Sequence, residues 1–76
     1  MLLPAQLRAA RALLGLSQAE VAGQACLSIP TIKRVETERG VYVSDAARAA
    51  TRVALEEAGV EFITGDEPGV KLKAKR

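Results

Sequence analysis

Two helix-start signals lie close together and constrain the fold of this chain more than any other feature. Ser17 is followed three residues later by Glu20, an arrangement in which each side chain bonds the unpaired backbone N–H of the other residue. Ser28 stands two residues before a proline, which is tolerated in the first turn of a helix because N–H groups there lack intrahelical partners. We therefore expect two short helices, over about 18–25 and about 29–37, joined by a tight turn.

Two longer helices are predicted on either side of that pair. Apolar residues recur at three- and four-residue steps after Pro4, which indicates a helix over about 4–14. The apolar side chains expected to face inward from it are Leu3, Leu7, Ala10 and Leu14. Ser44 is placed as the N-cap of another helix, over about 45–58, after a loop at about 38–43. The chain is thus expected to be mainly α-helical.

The periodicity changes from helical to alternating near the C-terminus. Segments at about 60–63 and about 70–73 alternate apolar and polar residues, and the TGDEPG between them is rich in turn residues. We expect a small β-hairpin, which as an isolated pair of strands needs the helices or another chain to pack against. The predicted organisation is a helical domain over about 1–58, followed by a hairpin and basic tail over about 59–76.

Composition narrows the classes of function. The chain has no histidine and one cysteine, so it lacks the residues for a Ser-His-Asp set, a Cys-His pair or a zinc cluster. The acidic pairs Glu56-Glu57 and Asp66-Glu67 are adjacent in sequence, and adjacent side chains do not face each other on a helix. We interpret them as surface charge, and we expect neither an enzyme nor a metal or other cofactor.

Hydropathy gives an expected location. No stretch approaches the roughly 20 apolar residues that a membrane-spanning helix requires. The N-terminal MLLPAQL also lacks the long apolar run of a secretory leader, and a single cysteine permits no internal disulfide. We therefore expect a cytoplasmic protein with no membrane partner.

The basic residues are distributed unevenly, although the formal net charge is only +2 and the sequence pI about 9.0. Residues 1–34 carry four basic side chains and one acidic side chain, a local balance of 4 − 1 = +3. Residues 71–76, KLKAKR, add four basic side chains and no acidic one. A basic face indicates a polyanionic partner, whereas a solvated tail accounts for residues 71–76 equally well.

The segments LGLSQAEVA and SIPTIKRVE, with a short turn between them, resemble the lambda-repressor-like helix-turn-helix family of the Cro and Xre type. The matching residues are Leu16, Ser17, Gln18, Glu20, Ala22, Ser28, Thr31, Ile32, Val35 and Glu36. The resemblance covers residues 7–58 and implies a four-helix domain whose second helix of the pair enters the DNA major groove. It further implies a transcriptional regulator, associated with the nucleoid, that binds double-stranded DNA as a homodimer on a pseudo-palindromic site.

Carried onto this sequence, the resemblance implies two groups of DNA contacts. The candidate base contacts are Ile29, Pro30, Lys33 and Arg34. The candidate contacts to the DNA backbone are Gln18, Ser28 and Thr31. Arg34 is the strongest candidate, because a guanidinium can bond O6 and N7 of guanine together. Lys33 is expected to contact a base or only a phosphate. The simpler interpretation of Lys33 and Arg34 is that they lie on the solvated face of a helix.

Four residues depart from the family pattern or have a structural interpretation. Cys26 stands at a turn position usually given to glycine, where a left-handed backbone makes a Cβ cost on the order of 1 kcal/mol. We interpret it as a small buried thiol, with a redox sensor as the alternative. Ile29 and Pro30 occupy positions that often hold polar side chains, and they can touch thymine methyls but donate no hydrogen bonds. Glu36 is implied to pair with a group of the first or second helix, for which Arg11 is a candidate.

Two classes of function stay open at this point. As a DNA-binding regulator, the chain would form its dimer through the hairpin, whose strand edges are available for strand exchange or a shared sheet. The alternative is a protein-binding module, an antitoxin or anti-activator, built on the same helical scaffold. The apolar start of the second short helix, at Ile29 and Pro30, and the hairpin edge both suit contacts with a protein.

Overall fold

The computed structural model describes residues 2–37 and 43–73. Its elements in chain order are α1 (Pro4–Leu14), α2 (Gln18–Ala25), α3 (Ile29–Val35), α4 (Asp45–Ala58), β1 (Val60–Ile63) and β2 (Gly69–Leu72). The predicted mainly helical class with a small C-terminal hairpin is confirmed. Most of the predicted loop and the last three residues of the predicted tail lie outside the described residues. Among the helices in the described ranges, none is long and apolar enough to cross a membrane.

Serine side chains begin three of the four helices in the described ranges. The Ser17 hydroxyl accepts a hydrogen bond from the Glu20 N–H at 3.0 Å, and the Glu20 carboxylate accepts one from the Ser17 N–H at 2.9 Å. Ser28 and Ser44 cap α3 and α4 in the same way, each accepting from the backbone N–H three residues later. These caps satisfy N–H groups that have no carbonyl partner within the helix, which fixes where each helix begins.

Two sequence predictions at the helix ends were wrong in detail. α3 ends at Val35, because Glu36 is its C-cap rather than part of a helix that runs to residue 37. Leu3 was expected to face inward, but its side chain is 51% exposed. Leu3 is the N-cap of α1 and has an extended backbone, so its side chain does not continue the apolar stripe of the helix.

One hydrophobic core joins the helices to the hairpin. Its buried members are Leu7, Ala10, Val21, Ala22, Ile32, Val35, Ala47, Leu55, Val60 and Phe62. α4 lies at the centre of the packing, since it contacts α1, α2, α3 and β1. Thr51, fully buried on α4, donates its hydroxyl to the Ala47 carbonyl at 2.8 Å, so the core holds no unpaired hydroxyl there.

The two strands pair antiparallel, with Val60 opposite Leu72 and Phe62 opposite Val70. Residues directly opposite each other in such a pair project to the same face, so the apolar side chains of both strands share the face that meets the helices. The predicted second strand, about 70–73, begins one residue earlier in the structure and ends at Leu72. The hairpin packs on α1 and α4, which supplies the support that an isolated pair of strands lacks.

Candidate nucleic-acid interface

A left-handed residue makes the turn between α2 and α3. Cys26 has φ 57° and ψ 42°, and the N–H of Leu27 donates to the Ala22 carbonyl at 2.9 Å. This bonding pattern ends helices that are followed by a left-handed residue, and Gly15 ends α1 in the same way. Leu27 then packs against the core, so the chain turns within three residues and α3 starts at once. The predicted position of the turn is confirmed.

The thiol of Cys26 lies at the surface of this turn. It was expected to be buried, but the structure places it in an exposed position. Cys26 is the left-handed residue that ends α2, and its side chain lies outside the core. Leu27, the next residue, packs inward instead.

α3 is divided into a buried side and an exposed side. Ile32 and Val35 are 0% and 3% exposed and anchor the helix in the core. The four candidate base contacts, Ile29, Pro30, Lys33 and Arg34, are all exposed. Side chains four residues apart are neighbours on a helix, as Ile29 is to Lys33 and Pro30 is to Arg34. The two pairs together therefore cover one continuous side of α3. The structure therefore brings all four candidate residues onto one surface, here called the α3 outer face.

The α3 outer face carries two cations and two apolar side chains. Within the described part of the chain, neither Lys33 nor Arg34 makes an ion pair or a side-chain hydrogen bond with a protein group. Ile29 is 42% exposed, and Pro30 has no backbone N–H to donate. The face can thus offer charged donors to a polyanion and apolar contacts to methyl groups beside them.

The three candidates for DNA backbone contact have partners within the protein. The hydroxyls of Ser28 and Thr31 lie 2.7 Å apart at the start of α3, and the Ser28 hydroxyl also accepts from the Thr31 N–H. Gln18, in the first turn of α2, directs its amide nitrogen to the Glu36 carboxylate at 3.1 Å. Ser28 and Thr31 therefore border the α3 outer face, whereas the Gln18 amide is oriented by Glu36.

Glu36 connects α3 to the two preceding helices. Its carboxylate accepts two hydrogen bonds from Arg11, from Nε at 2.7 Å and from Nη2 at 3.1 Å, and a third from Gln18. The backbone carbonyl of Glu36 also accepts a hydrogen bond from Arg8. Glu36 is 3% exposed, so the contacts compensate a carboxylate removed from water. The implied pairing of Glu36 with Arg11 is confirmed.

The same contact changes the acid–base behaviour of Arg11. The hydrogen bond with the Glu36 carboxylate raises the pKa of Arg11 above its ordinary value, and the negative charge of Glu36 adds to this. Partial burial of the guanidinium lowers this pKa, but by less than the hydrogen bond raises it. The contact therefore favours the charged form of the Arg11 guanidinium, and it joins α3 to α1 beneath the α3 outer face.

Gln6 makes a structural contact that the sequence analysis did not identify. It is 5% exposed on α1, and its amide nitrogen donates to the carbonyls of Ile63 at 2.8 Å and Gly69 at 3.0 Å. Its amide oxygen accepts from the Leu3 N–H at 2.8 Å. The only signal in the sequence was a polar residue beside Leu7 on the inward side of a helix. Gln6 attaches the hairpin to α1 and so to the helices that carry the α3 outer face.

No known family model matches this chain, and no curated protein matches it in sequence. Within the described residues, no group of three or more Cys, Asp or Glu side chains is placed to hold a metal ion. The surface most distinct in chemistry is the α3 outer face, with its two cations and two apolar side chains on a helix whose other side is buried.

Proposed function

We propose that this chain is a sequence-specific DNA-binding transcriptional regulator in which α2 and α3 form a helix-turn-helix and α3 enters the major groove. The observation that carries the proposal is the α3 outer face. Lys33 and Arg34 are exposed there and unpaired within the described residues, while Ile32 and Val35 fix the opposite side in the core. A helix mounted in this way can insert its side chains into a groove without any rearrangement of the fold.

Each residue of the α3 outer face has a defined role in the proposal. Arg34 bonds O6 and N7 of a guanine, and Lys33 contacts a base or a phosphate. Ile29 and Pro30 contact thymine methyls, since neither side chain donates a hydrogen bond. The hydroxyls of Ser28 and Thr31 and the amide of Gln18 are the candidate phosphate contacts, and Glu36 limits the directions that the Gln18 amide can take. Sequence preference therefore depends most on Arg34.

A single domain of this size buries only a modest interface on DNA. Specific binding by such domains generally uses two half-sites about 34 Å apart, which a two-fold dimer matches. We therefore propose a homodimer on a pseudo-palindromic site. Because the proposed ligand is DNA, we also propose that the protein associates with the nucleoid. The attachment of the hairpin by Gln6 supports a role for the hairpin in that dimer, because it fixes the hairpin relative to the helices.

A protein-binding module, such as an antitoxin or anti-activator, is the second candidate function. The observation that favours it is the 42% exposure of Ile29 beside Pro30 at the start of α3. Exposed apolar residues next to cations also suit an acidic, partly apolar protein surface. The two candidates differ in whether the α3 outer face binds nucleic acid at all.

Selection of bound sites from a random DNA pool tests the proposal, followed by titration of the selected site with the protein and with Arg34→Ala. We expect the protein to enrich a site with two-fold symmetry and to lose affinity steeply as salt rises, because each phosphate contact releases a counterion. Arg34→Ala should lower the preference for one base position by about 5- to 150-fold, which corresponds to roughly 1–3 kcal/mol.

Lys71→Ala is the matched control for this experiment. Lys71 is an exposed cation on the hairpin, so its loss should weaken binding to all sequences equally, if it has any effect. Circular dichroism of both variants checks that the fold is unchanged. Failure of the protein to bind random-sequence DNA at low salt would overturn the proposal and favour the protein-binding alternative.

A further inference from the structure

A groove of about 450 Å³ lies where the ends of α1 and α4 meet the hairpin. It is here called the hairpin groove. Its apolar lining comes from Leu14, Ala58 and Leu72, and its charged lining comes from Glu56, Glu57 and Lys73. These residues belong to α1, α4 and the C-terminal end of the hairpin. A molecule bound in the groove would therefore leave the α3 outer face open.

The apolar part of the hairpin groove is exposed because α1 stops there. Gln6 bonds the carbonyl of Gly69 at the start of β2, and Leu14 and Leu72 line the groove at the other end of the same two elements. α1 and β2 thus run side by side, and α1 ends level with Leu72. Leu72 lies on the sheet face that meets the helices, opposite the fully buried Val60, yet it is 53% exposed. Leu72 therefore offers an apolar side chain for contact at the surface of the groove.

The charges around the hairpin groove have both signs. Glu56 pairs with Arg52 along α4 at 3.2 Å. Glu57 and Lys73 line the same groove, and within the described residues neither makes an ion pair. A surface that carries an acid and a base beside an apolar centre has the two kinds of charge that a two-fold contact with a second copy pairs with each other.

Charge also argues against a dimer made by joining the two sheets through β2. Two β2 strands paired antiparallel and centred on Lys71 would set Lys71 directly opposite its own copy. Pairing centred on Leu72 would set Lys71 opposite Lys73 of the other chain. Like charges directly opposite each other destabilise a strand pair, and lysines on an edge strand discourage such pairing. Side-chain docking in the hairpin groove avoids both arrangements.

We propose that a second copy of this chain docks in the hairpin groove. Leu72 of each copy covers the groove of the other, and Lys73 of each copy faces Glu57 of the other. The inference rests on the proposed function, which requires two chains related by a two-fold axis, and it names the surface that joins them. The occupant is a second copy because the same groove supplies both the acid and the base of each contact.

Sedimentation equilibrium of the full chain without DNA tests the surface, with Leu72→Glu compared with Leu3→Glu. Leu72 and Leu3 are 53% and 51% exposed, but Leu3 lies outside the groove. The same substitution at the two positions therefore tests the location of the side chain and not the added charge alone. We expect Leu72→Glu to raise the dimer dissociation constant by about tenfold or more, as burial of an unpaired charge at an interface centre does. Leu3→Glu should change it by less than about twofold.

Charge reversal tests the polar contact and does not depend on the apolar variant. Glu57→Lys alone and Lys73→Glu alone should each weaken the dimer, because each sets like charges against one another across the interface. The double variant should restore dimerisation to within about threefold of the original protein, since it exchanges the two ends of the same ion pair. Both positions are exposed, so circular dichroism of each variant should show that the fold is unchanged.

The outcomes separate this inference from the proposed function. A protein that stays monomeric at micromolar concentration, or that dimerises equally well with Leu72→Glu, overturns the inference. If such a protein still selects a DNA site, the proposed DNA binding stands, and a monomer overturns only the proposed homodimer. A protein whose dimer is broken by Leu72→Glu and restored by the double charge reversal supports the inference. If that dimer fails to bind DNA, the proposed function is overturned while the interface stands.

Discussion

Two polar contacts of α1 help to hold separate parts of the molecule in place, and the two contacts differ in kind. Arg11 on α1 binds the carboxylate of Glu36 at the end of α3, so this contact joins two ionised side chains. Gln6 on α1 donates instead to the backbone carbonyls of Ile63 and Gly69 in the hairpin, so this contact joins a neutral side chain to main chain. One contact supports the α3 outer face, and the other supports the hairpin groove.

Because the two contacts differ in kind, we expect substitutions at them to change stability in different ways. An ion pair leaves an uncompensated charge when one partner is removed, whereas an amide leaves polar groups that water can partly satisfy. The ionic contact also connects three helices, because Glu36 accepts from Gln18 as well as from Arg11. We therefore expect the α3 contact to matter more for global stability and the hairpin contact to matter more for local order.

Glu36→Ala should give the largest loss of stability among the changes considered. It removes the carboxylate that accepts from Arg11 and Gln18, and we expect the free energy of unfolding to fall by roughly 2–4 kcal/mol. The estimate is below that for a fully buried pair because the Arg11 side chain is 25% exposed and regains some hydration. Urea unfolding followed by circular dichroism measures the change.

Glu56→Ala is the matched control for that prediction. Glu56 also pairs with an arginine, Arg52, but the two side chains are 34% and 46% exposed on the surface of α4. Exposed pairs of this kind contribute about 0.3–0.5 kcal/mol, so Glu56→Ala should have little effect. Equal losses for Glu36→Ala and Glu56→Ala would show that the buried contact is not what holds α3.

Gln6→Ala should give the next largest effect, centred on the hairpin. It leaves two carbonyls without their side-chain donor, and we expect a loss of roughly 1–3 kcal/mol. Amide hydrogen exchange should speed up most in β1 and β2, including the N–H of Lys73, which bonds the Gly59 carbonyl at 2.8 Å. Gln24→Ala, at an exposed position on α2, should leave the exchange pattern unchanged.

Gln6→Glu sharpens the same test through pH. A carboxylate at this position would set a negative oxygen against two carbonyl oxygens, so it should destabilise the protein more than Gln6→Ala at neutral pH. Stability should rise as pH falls, because a protonated carboxyl can donate again and folding then favours the protonated form. A loss that is independent of pH, or equal acceleration of exchange in α2 and α3, would show that Gln6 does not hold the hairpin specifically.

The two contacts also mark what the sequence could and could not predict about the fold. Helix starts depend on residues within three positions of each other, such as Ser17 and Glu20, so local chemistry predicted them. The contact of Gln6 with Ile63 and Gly69 spans almost the whole chain, and an amide that bonds main chain needs no complementary side chain. Nothing in the local pattern identifies such a partner, so Gln6 was missed.

The candidate site shows the same division between local and distant information. Helical periodicity placed Ile32 and Val35 inward and Lys33 and Arg34 outward, and the structure agrees because one turn of helix is enough to decide it. The orientation of the Gln18 amide toward Glu36 depends on how two helices pack, which the sequence did not give. The helix positions were therefore predictable, and the side-chain contacts between helices were not.

Cys26→Gly is expected to have a smaller effect and to act in the opposite direction. Cys26 is the one residue other than glycine with a positive φ among the described residues, and glycine adopts that conformation without strain from a Cβ. We expect the free energy of unfolding to rise by about 0.5–1 kcal/mol, after the greater freedom of glycine in the unfolded chain is allowed for. Gly15→Ala, at the equivalent end of α1, should lower stability by a similar amount.

A loss of stability for Cys26→Gly would show that the exposed thiol makes a contact that stabilises the fold by more than the Cβ of Cys26 strains the backbone. The comparison with Gly15 is informative because a Cβ at Gly15 would meet no atom within 4 Å. Any cost of Gly15→Ala is then a backbone cost rather than a steric clash. Thermal melting of the two variants under reducing conditions measures both effects without oxidation of the thiol.

Glu20→Gln should give the smallest effect, and pH is the variable that reveals it. Hydrogen bonds from the Ser17 backbone N–H and, to a lesser extent, from the Ser17 side chain lower the pKa of Glu20 below its ordinary value. A carboxyl whose pKa is lower when folded contributes stability that is fully present above its unfolded pKa of about 4.3 and is lost as pH falls through the folded value. Glutamine still accepts the Ser17 N–H but has no charge to lose. The melting temperatures of the two proteins should therefore differ at neutral pH and converge in acid, and a difference that persists unchanged below pH of about 3 would contradict the assignment of the cap to the ionised carboxylate.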